Sequence, residues 1–288
     1  LNLSGYHLLS DQSEADDNRY RMVPELTLAW SKPLLINGAW LVTPKANLTL
    51  APNQTDQSAI ANLDSISQEF TYQNLFSESR ISGNDRLEQA SRTSYGLAIN
   101  RQFSNQHQFE VAFGQLYRFR QDEFFDIASG LSEKSSDYVF KAELTQRNNW
   151  QLSYQSRLNK ESLAPYFNQL SSFYRFDQRF SFDLSYNKYD FNRVFNEGDD
   201  INELSLKGQF KPFYNLTLSG ELDYNFADRE NFSETGLSRS KFSLIYDTAC
   251  ISYQLLLTRD YFTSDFVDNQ TSISFKLAFK GLNQPFAD

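Results

Sequence analysis

The sequence predicts an all-β protein: an antiparallel, up-and-down transmembrane β-barrel, present here as an incomplete, open portion of about fifteen strands. Alternation of apolar and polar residues runs through most of the 288 residues. Many alternating stretches are about ten residues long, which is the length that a tilted strand needs to cross a bilayer. From about residue 100 onward the connections alternate short and long, and no stretch of similar length has a helical period.

The alternation is most regular in residues 215–226, where Leu216 and Leu222 fall on one face and Glu221 and Asp223 on the other. It recurs in the ranges 109–119, 180–187 and 273–279. Successive side chains of a strand point to opposite faces, so each stretch has one apolar side and one polar side. A soluble barrel with its apolar side inward has the same pattern. Strand length and connection length therefore favour the membrane.

The connections indicate an orientation. Long ones are expected at residues 121–136, 158–165, 190–201, 227–236 and 263–269, and short ones at 103–106, 147–149, 176–178, 211–214 and 247–249. Outer-membrane barrels have short periplasmic turns and longer extracellular loops, which predicts a periplasmic C-terminus. The stretch from Ala51 to Ser65 is long where a short turn is expected, which indicates an extra strand or a folded-in loop.

Composition excludes several classes of protein. The net charge of −9 argues against nucleic acid as a partner, because phosphate binding requires clustered Lys and Arg. No apolar run approaches the roughly 20 residues of a membrane helix. Aromatic residues, 16% of the chain, gather near predicted strand ends, as in Phe124 with Phe125, Phe213 with Tyr214 and Tyr261 with Phe262. We interpret these pairs as an aromatic girdle at the lipid–water boundary rather than as core.

Catalytic and metal-binding patterns are missing from the sequence. The two histidines, His7 and His107, have no neighbours that suggest a nucleophile system, and one Cys with two scattered His residues does not make a metal site. No phosphate-binding loop or dinucleotide motif occurs. We therefore predict no enzymatic activity, no cofactor and no metal.

Cys250 follows a short turn at the predicted periplasmic rim. Because the periplasm is oxidising, a lone Cys there suggests a disulfide to a residue outside this chain. A free, half-buried thiol is the alternative, and the residues leave both open. The chain begins at Leu1 in strand-like sequence without a leader, which we interpret as a segment of a longer protein.

Six short blocks occur in a fixed order along the chain. They are Asn74–Arg86 (NLFSESRISGNDR), Ser91–Leu97 (SRTSYGL), Phe113–Arg118 (FGQLYR), Gly130–Tyr138 (GLSEKSSDY), Tyr246–Cys250 (YDTAC) and Lys280–Leu282 (KGL). Together they resemble the LPS-assembly protein LptD family. The resemblance implies that residues 1–288 are the C-terminal portion of that family's barrel domain, without its N-terminal jellyroll and first barrel strands.

For function, the resemblance implies an integral outer-membrane translocon subunit that inserts lipopolysaccharide into the outer leaflet by lateral release from the barrel, without covalent chemistry. The implied partners are lipopolysaccharide, an LptE-like lipoprotein plug, outer-membrane lipid, and a periplasmic transport bridge reached through the missing jellyroll.

The same resemblance assigns residues. The last strand, about Gln270 to Lys280, would form one edge of the lateral gate, with the apolar residues Ile273, Phe275, Leu277 and Phe279. Cys250 would be half of a disulfide to the jellyroll; some members have two adjacent cysteines there, whereas Ala249 precedes Cys250 here. Gly83, Asp85 and Arg86 would be structural, as a tight turn and a lumenal ion pair.

Three alternatives remain open. A porin-like or receptor-like diffusion channel would share the strand pattern but has no use for Cys250 or for the block from Gly83 to Arg86. A barrel enzyme is disfavoured by the histidine count. A soluble array of β-sandwiches would bury the apolar side of each strand and expose the polar side, which coordinates can test.

Overall fold

The computed structural model describes residues 25–51, 65–83, 88, 90–103, 106–121, 124–125, 127–147, 149–190, 200–226, 236–261 and 269–280. Its strands are β1 (Leu26–Ser31), β2 (Leu34–Ile36), β3 (Trp40–Leu50), β4 (Ile66–Ser67), β5 (Ile81–Ser82), β6 (Arg92–Gln102), β7 (His107–Arg118), β8 (Tyr138–Gln146), β9 (Trp150–Leu158), β10 (Pro165–Arg175), β11 (Phe180–Tyr189), β12 (Ile201–Phe213), β13 (Leu216–Asn225), β14 (Gly236–Asp247), β15 (Ile251–Asp260) and β16 (Gln270–Phe279). One turn of 3₁₀-helix spans Ile127–Ser129.

Fourteen of these strands form one antiparallel sheet in chain order, β1-β3-β6-β7-β8-β9-β10-β11-β12-β13-β14-β15-β16, with β2 paired to β3. The short strands β4 and β5 pair only with each other. The order is linear, from β1 at one end to β16 at the other. The predicted all-β, up-and-down and incomplete sheet is thereby confirmed. Within the described ranges there is no helix with the length and hydropathy needed to cross a membrane.

Strand lengths and connections also follow the prediction. From β6 to β16 the strands have 9 to 13 residues, longer than the five or six typical of soluble strands. The short connections are residues 103–106, 147–149, 176–179, 214–215 and 248–250, and the long ones are 119–137, 159–164, 190–200, 226–235 and 261–269.

The connection from β3 to β6, residues 51–91, lies at the end of the sheet that carries the long connections, because the β6–β7 turn is short and lies at the opposite end. Its described part contains only the two-residue strands β4 and β5, and it packs against the sheet. The stretch from Ala51 to Ser65, where the sequence predicts an extra strand or a folded-in loop, lies outside the described residues except for its two end residues.

The chain divides into two compact units. Unit 1 comprises residues 1–102, 109–142 and 155–165, and unit 2 comprises residues 103–108, 143–154 and 166–288. In unit 2 Leu222 of β13 and Phe275 and Phe279 of β16 are exposed, whereas the polar Asn225 and Ser252 are buried. This polarity is the reverse of a soluble sandwich and matches strands whose apolar face meets lipid.

In unit 1 the large aromatic residues of β7 are also exposed, but the opposite face of the strand is buried and partly apolar. Along β7, Phe113 is 50% exposed while its neighbours Ala112 and Gly114 belong to the opposite face, where Ala112 is fully buried. Tyr117 is likewise exposed and Leu116 fully buried. In each unit we call the face that carries the exposed large apolar side chains the open face, and in unit 1 we call the opposite face the covered face.

Candidate functional site

A segment of the β3–β6 connection lies on the covered face of unit 1. We call its described residues, 65–83, 88, 90 and 91, the covering segment. Its apolar side chains join a buried core with residues of β6, β7, β8 and the β7–β8 connection: Phe70, Tyr72, Leu75, Ile81, Ala98, Ala112, Leu116, Phe125, Leu131 and Val139. The strands contribute Ala98, Ala112, Leu116 and Val139 to this core, and its aromatic members come from the segment and the β7–β8 connection.

Two glycines make room for the covering segment. A Cβ added at Gly114 would lie 2.3 Å from Cδ2 of Leu75, and one at Gly96 would lie 3.3 Å from the rings of Tyr72 and Phe76. Backbone also crowds both positions, since the Gly114 Cβ would come within 2.6 Å of the carbonyl oxygen of Tyr95. Contacts below 3.0 Å require something to shift, so the segment can approach β6 and β7 this closely only because both positions lack a side chain.

The turn at Asn74 is fixed by its own side chain. The Asn74 amide oxygen accepts a hydrogen bond from the Thr71 backbone N–H at 3.0 Å, and its Nδ2 donates to the Glu69 carbonyl at 2.8 Å. Arg80 Nη1 then donates to the carbonyl oxygens of Asn74, Leu75 and Ser77 at 3.2–3.3 Å. Asx side chains favour turns by this bonding, and the arginine adds hydrogen bonds to three carbonyls of the turn, of which that of Asn74 also accepts the Ser77 N–H at 3.1 Å.

A fully buried carboxylate lies at the centre of the site. Glu88 Oε2 accepts hydrogen bonds from the Arg80 backbone N–H at 3.1 Å and from Arg80 Nε at 2.8 Å. Glu88 Oε1 accepts a hydrogen bond from Arg118 Nη2, and Arg92 Nε lies 3.8 Å away. The side chains of Glu88, Arg80 and Arg118 have no exposed surface. Burial alone would raise the pKa of Glu88, but the charges of Arg80, Arg92 and Arg118 outweigh it and hold the pKa well below its usual range.

Arg92 extends this network to the residue that precedes β1. Its Nη2 lies 2.7 Å from Oε1 of Glu25 and also donates to the Glu78 carbonyl, and its Nη1 donates to the Ala90 carbonyl at 3.2 Å. One arginine therefore contacts the covering segment at two carbonyls and the start of β1 at a carboxylate. Burial raises the pKa of Glu25, with Arg92 opposing the shift.

A second ion-pair group lies nearby in unit 1. Arg157 of β9 is fully buried, with Nε 2.9 Å from Glu69 Oε1 and Nη1 3.5 Å from Asp137 Oδ2. Gly130 adopts a φ of 69° there, and a Cβ at this position would lie 2.3 Å from Arg157 Nη1. A glycine is therefore required at position 130 both for the backbone conformation and for the space. Burial raises the pKa of Asp137 despite the opposing charge of Arg157.

The four blocks from Asn74 to Tyr138 meet in this site. Leu75 and Arg80 come from the first block, Gly96 from the second, Gly114 and Arg118 from the third, and Gly130 and Asp137 from the fourth. The third and fourth blocks are joined directly, because Arg118 Nη1 donates to the Leu131 carbonyl at 2.8 Å and Gln115 Nε2 donates to the Ser136 carbonyl at 2.8 Å.

The structure places some of the predicted residues elsewhere. Gly83 has a φ of 90° directly after β5, as a tight turn requires, while Asp85 and Arg86 lie outside the described residues. Cys250 is an exposed, free thiol in the β14–β15 turn, and its carbonyl accepts a hydrogen bond from the Lys280 N–H at 2.8 Å, next to the end of β16. Four apolar residues of β16 are exposed, namely Ile273, Phe275, Leu277 and Phe279.

The interpretation of Phe124 and Phe125 as girdle residues is wrong. Phe125 is 4% exposed and belongs to the core, Phe124 packs against that core, and the Arg118 guanidinium lies 4.5 Å from the Phe125 ring centroid. Their connection folds back onto the covered face instead of reaching the lipid boundary. Phe213, the last residue of β12, and Tyr214, in the β12–β13 turn, are strongly exposed, as a girdle requires; Phe262 lies outside the described residues.

Sequence reasoning missed the charged residues of the site. The strand pattern does not identify Glu88, Arg92 or Arg157 as site residues. It does contain one signal: Arg118 follows Ala112, Gly114 and Leu116 on the covered face of β7. A cation in phase with small and apolar inward residues is the signal that indicates a buried ion pair. Among the described residues no group of three or more His, Cys, Asp or Glu could hold a metal ion.

Long antiparallel strands in chain order, with large apolar side chains exposed along one face in each unit, define the class: this is a sheet of the up-and-down transmembrane β-barrel type. Residues 6–216 match the family model described as LptD, LPS transport system D. The chain belongs to this family.

Two curated relatives are both named LPS-assembly protein LptD. The Haemophilus ducreyi protein is 25% identical over 300 residues, covering 90% of this chain and 37% of the relative. The Nitrosococcus oceani protein is 24% identical over 243 residues, covering 83% of this chain and 31% of the relative. The chain thus spans about a third of the length of these relatives.

Solved structures that overlap the chain include variants of the Rhodopseudomonas blastica porin. One variant covers 93% of this chain and 94% of its own length at 8% identity and a TM-score of 0.38. Another covers 90% of this chain and 91% of its own length at 8% identity and a TM-score of 0.37. An overlap this loose supports no inference about function.

Proposed function

We propose that this chain is the C-terminal part of an integral outer-membrane translocon subunit that inserts lipopolysaccharide into the outer leaflet without covalent chemistry. The observation that carries the proposal is the family match over residues 6–216, together with relatives named for LPS assembly. The apolar open face of the sheet supports a membrane location, since only lipid can cover such a surface on both units without a protein partner.

Lateral release is the mechanism that we infer for this activity. Among the described residues the sheet ends at β16, which pairs with β15 along one edge, and its residues Ile273, Phe275, Leu277 and Phe279 are all exposed. An edge strand cannot remain unpaired in hydrocarbon. We infer that β16 pairs with a first barrel strand upstream of this chain and that the acyl chains of lipopolysaccharide leave through this seam while its sugars follow the polar side.

The proposal includes an orientation and a set of partners. Short turns would face the periplasm, which places Cys250 and the end of β16 there and the covering segment at the cell-surface end. The partners would be lipopolysaccharide, an LptE-like lipoprotein plug, outer-membrane lipid, and a periplasmic bridge that docks to the upstream jellyroll. In the full-length protein Cys250 would form a disulfide with that jellyroll, which its exposed thiol permits.

Site-specific photocrosslinking in the full-length protein tests the seam. A photoreactive residue at Ile273 or Phe275, on the open face of β16, should capture lipopolysaccharide in cells, and one at Phe180 on the open face of β11 should capture much less. Equal capture at all three positions, or passage of small solutes without lipopolysaccharide adducts, would favour a diffusion channel and overturn the proposal.

Electrophoresis of the full-length protein tests the disulfide of Cys250. We expect the mobility of the protein to differ between reducing and non-reducing conditions and this difference to disappear in Cys250→Ser. A difference that persists in Cys250→Ser would reject the disulfide.

A further inference from the structure

We propose that the covering segment stays docked throughout transport, so that the covered face of β6, β7 and β8 is closed to substrate. This inference rests on the proposed function and adds to it a restriction on the route. A segment that must open has few buried contacts and exposed backbone hydrogen bonds. The covering segment has neither property, as its apolar, charged and backbone contacts show.

The apolar contacts leave no gap for a ligand. Phe70 and Leu75 have no exposed surface, and Leu75 lies directly over Gly114, where even a methyl group would not fit. Opening would expose this core together with Leu116 and Val139 on the strands, which are also fully buried. The lost burial of several large side chains makes an open state costly.

The ion pairs of Glu88 also oppose opening of the covering segment. Glu88 is the carboxylate shared by Arg80 of the segment, Arg92 of β6 and Arg118 of β7. Moving the segment away would separate Glu88 from the two strand arginines and leave buried charges without their partner, which is strongly unfavourable. The ion pairs therefore hold the segment against two neighbouring strands at once.

Hydrogen bonds tie the covering segment to the sheet in its middle, at Phe76, and at its last residue, Ser91. The Phe76 carbonyl accepts a hydrogen bond from Asn47 Nδ2 of β3 at 3.2 Å, and the Ser91 carbonyl accepts one from the Phe119 N–H at 2.9 Å. The Ala51 N–H donates to Ser91 Oγ at 2.9 Å. The described residues of the segment are therefore anchored on β3 and at the end of β7.

Trypsin cleavage after Arg80 tests this directly, because that side chain is fully buried in the docked state. The assay uses the purified full-length complex in lipid, with its partners, in idle and lipopolysaccharide-transporting conditions. Arg120, exposed in the β7–β8 connection at the same end of the sheet as the covering segment, reports general protease access. We expect cleavage after Arg80 to change less than about twofold on transport, because cleavage tracks the population of the open state.

Glu88→Gln supplies the undocked reference, for which we expect cleavage after Arg80 to rise at least about tenfold. An increase of that size in the unmodified complex during transport would overturn the inference. Failure of the proposed function would look different: no delivery of lipopolysaccharide by the unmodified complex, with Arg80 still protected.

A covalent tether gives a second readout that does not depend on the Glu88 variant folding. A benzoylphenylalanine at Phe76, whose ring lies beside Tyr72 and Gly96, can be linked by ultraviolet light to β3 or β6. The crosslinked fraction should deliver lipopolysaccharide at the rate of the unirradiated protein. The same residue at the exposed Phe213 serves as control. Loss of delivery on crosslinking at Phe76 but not at Phe213 would show that the segment must move.

Discussion

Arg80 and Glu88 form an ion pair, with Nε 2.8 Å from Oε2, in which neither side chain has any exposed surface. The pair lies within the covering segment, and Arg118 of β7 donates to the other oxygen of the same carboxylate. A single acidic residue therefore links the conformation of the segment to its position on the sheet. This link, the glycines beneath the covering segment and the open face of β16 can each be tested by substitution.

Glu88→Gln should lower the free energy of unfolding of the full-length protein by about 3–5 kcal/mol, the usual cost of removing one partner from a buried ion pair. The neutral amide leaves Arg80 and Arg118 charged and buried without compensation. Denaturant unfolding in detergent measures the change. Glu133→Gln is the matched control, because its pair with Lys160 is exposed; it should stay within about 0.5 kcal/mol. Equal effects of the two changes would contradict the assigned role of Glu88.

Acid should weaken the same interaction. The folded-state pKa of Glu88 lies below its ordinary value of 4.5 because three arginines surround it. Its contribution to stability is therefore complete above pH 4.5 and is lost as the pH falls from there toward the depressed pKa. The difference in stability between the unmodified protein and Glu88→Gln should shrink over this acidic range. A difference that stays constant down to the lowest pH at which the protein folds would be the contrary result.

Gly114→Ala and Gly96→Ala should each destabilise the protein by about 1–3 kcal/mol, as overpacking does. The added methyl group at Gly114 would meet Leu75 and the Tyr95 carbonyl, and that at Gly96 would meet the Phe113 carbonyl. Gly208 and Gly220 are the controls, since a Cβ at either would have no neighbour within 4 Å. Their alanine variants should be neutral or slightly stabilising. Thermal unfolding of all four variants compares the two pairs.

The two faces of β16 should respond differently to the same charge. Phe275→Arg places a cation on the open face and should cost about 2–4 kcal/mol if that position lies near the bilayer midplane. Ser274→Arg places it on the opposite face, where the neighbouring Lys276 is tolerated. Reversible unfolding in lipid vesicles gives both values. A larger penalty for Ser274→Arg would show that the assignment of the faces is inverted.

The sequence alone predicted the sheet because the relevant information is local. A strand residue lies on the same face as residues two positions away, so alternation in 109–119 and 273–279 determined which side chains are exposed, as Phe113 and Phe275 are in the structure. Connection length likewise follows from where alternation stops. These features require no knowledge of what lies across the sheet.

Only the tertiary structure decided how the charged residues are paired. Glu88 and Arg118 are 30 positions apart, and Arg92 and Glu25 are 67 apart; alternation assigns Arg118 to a face but does not say which carboxylate covers it. The same limit explains the error at Phe125, whose position near a strand end is equally compatible with lipid and with core. Which of the two an aromatic ring meets depends on whether its connection folds back over the sheet, and that depends on contacts distant in sequence, here with the covering segment and Arg118.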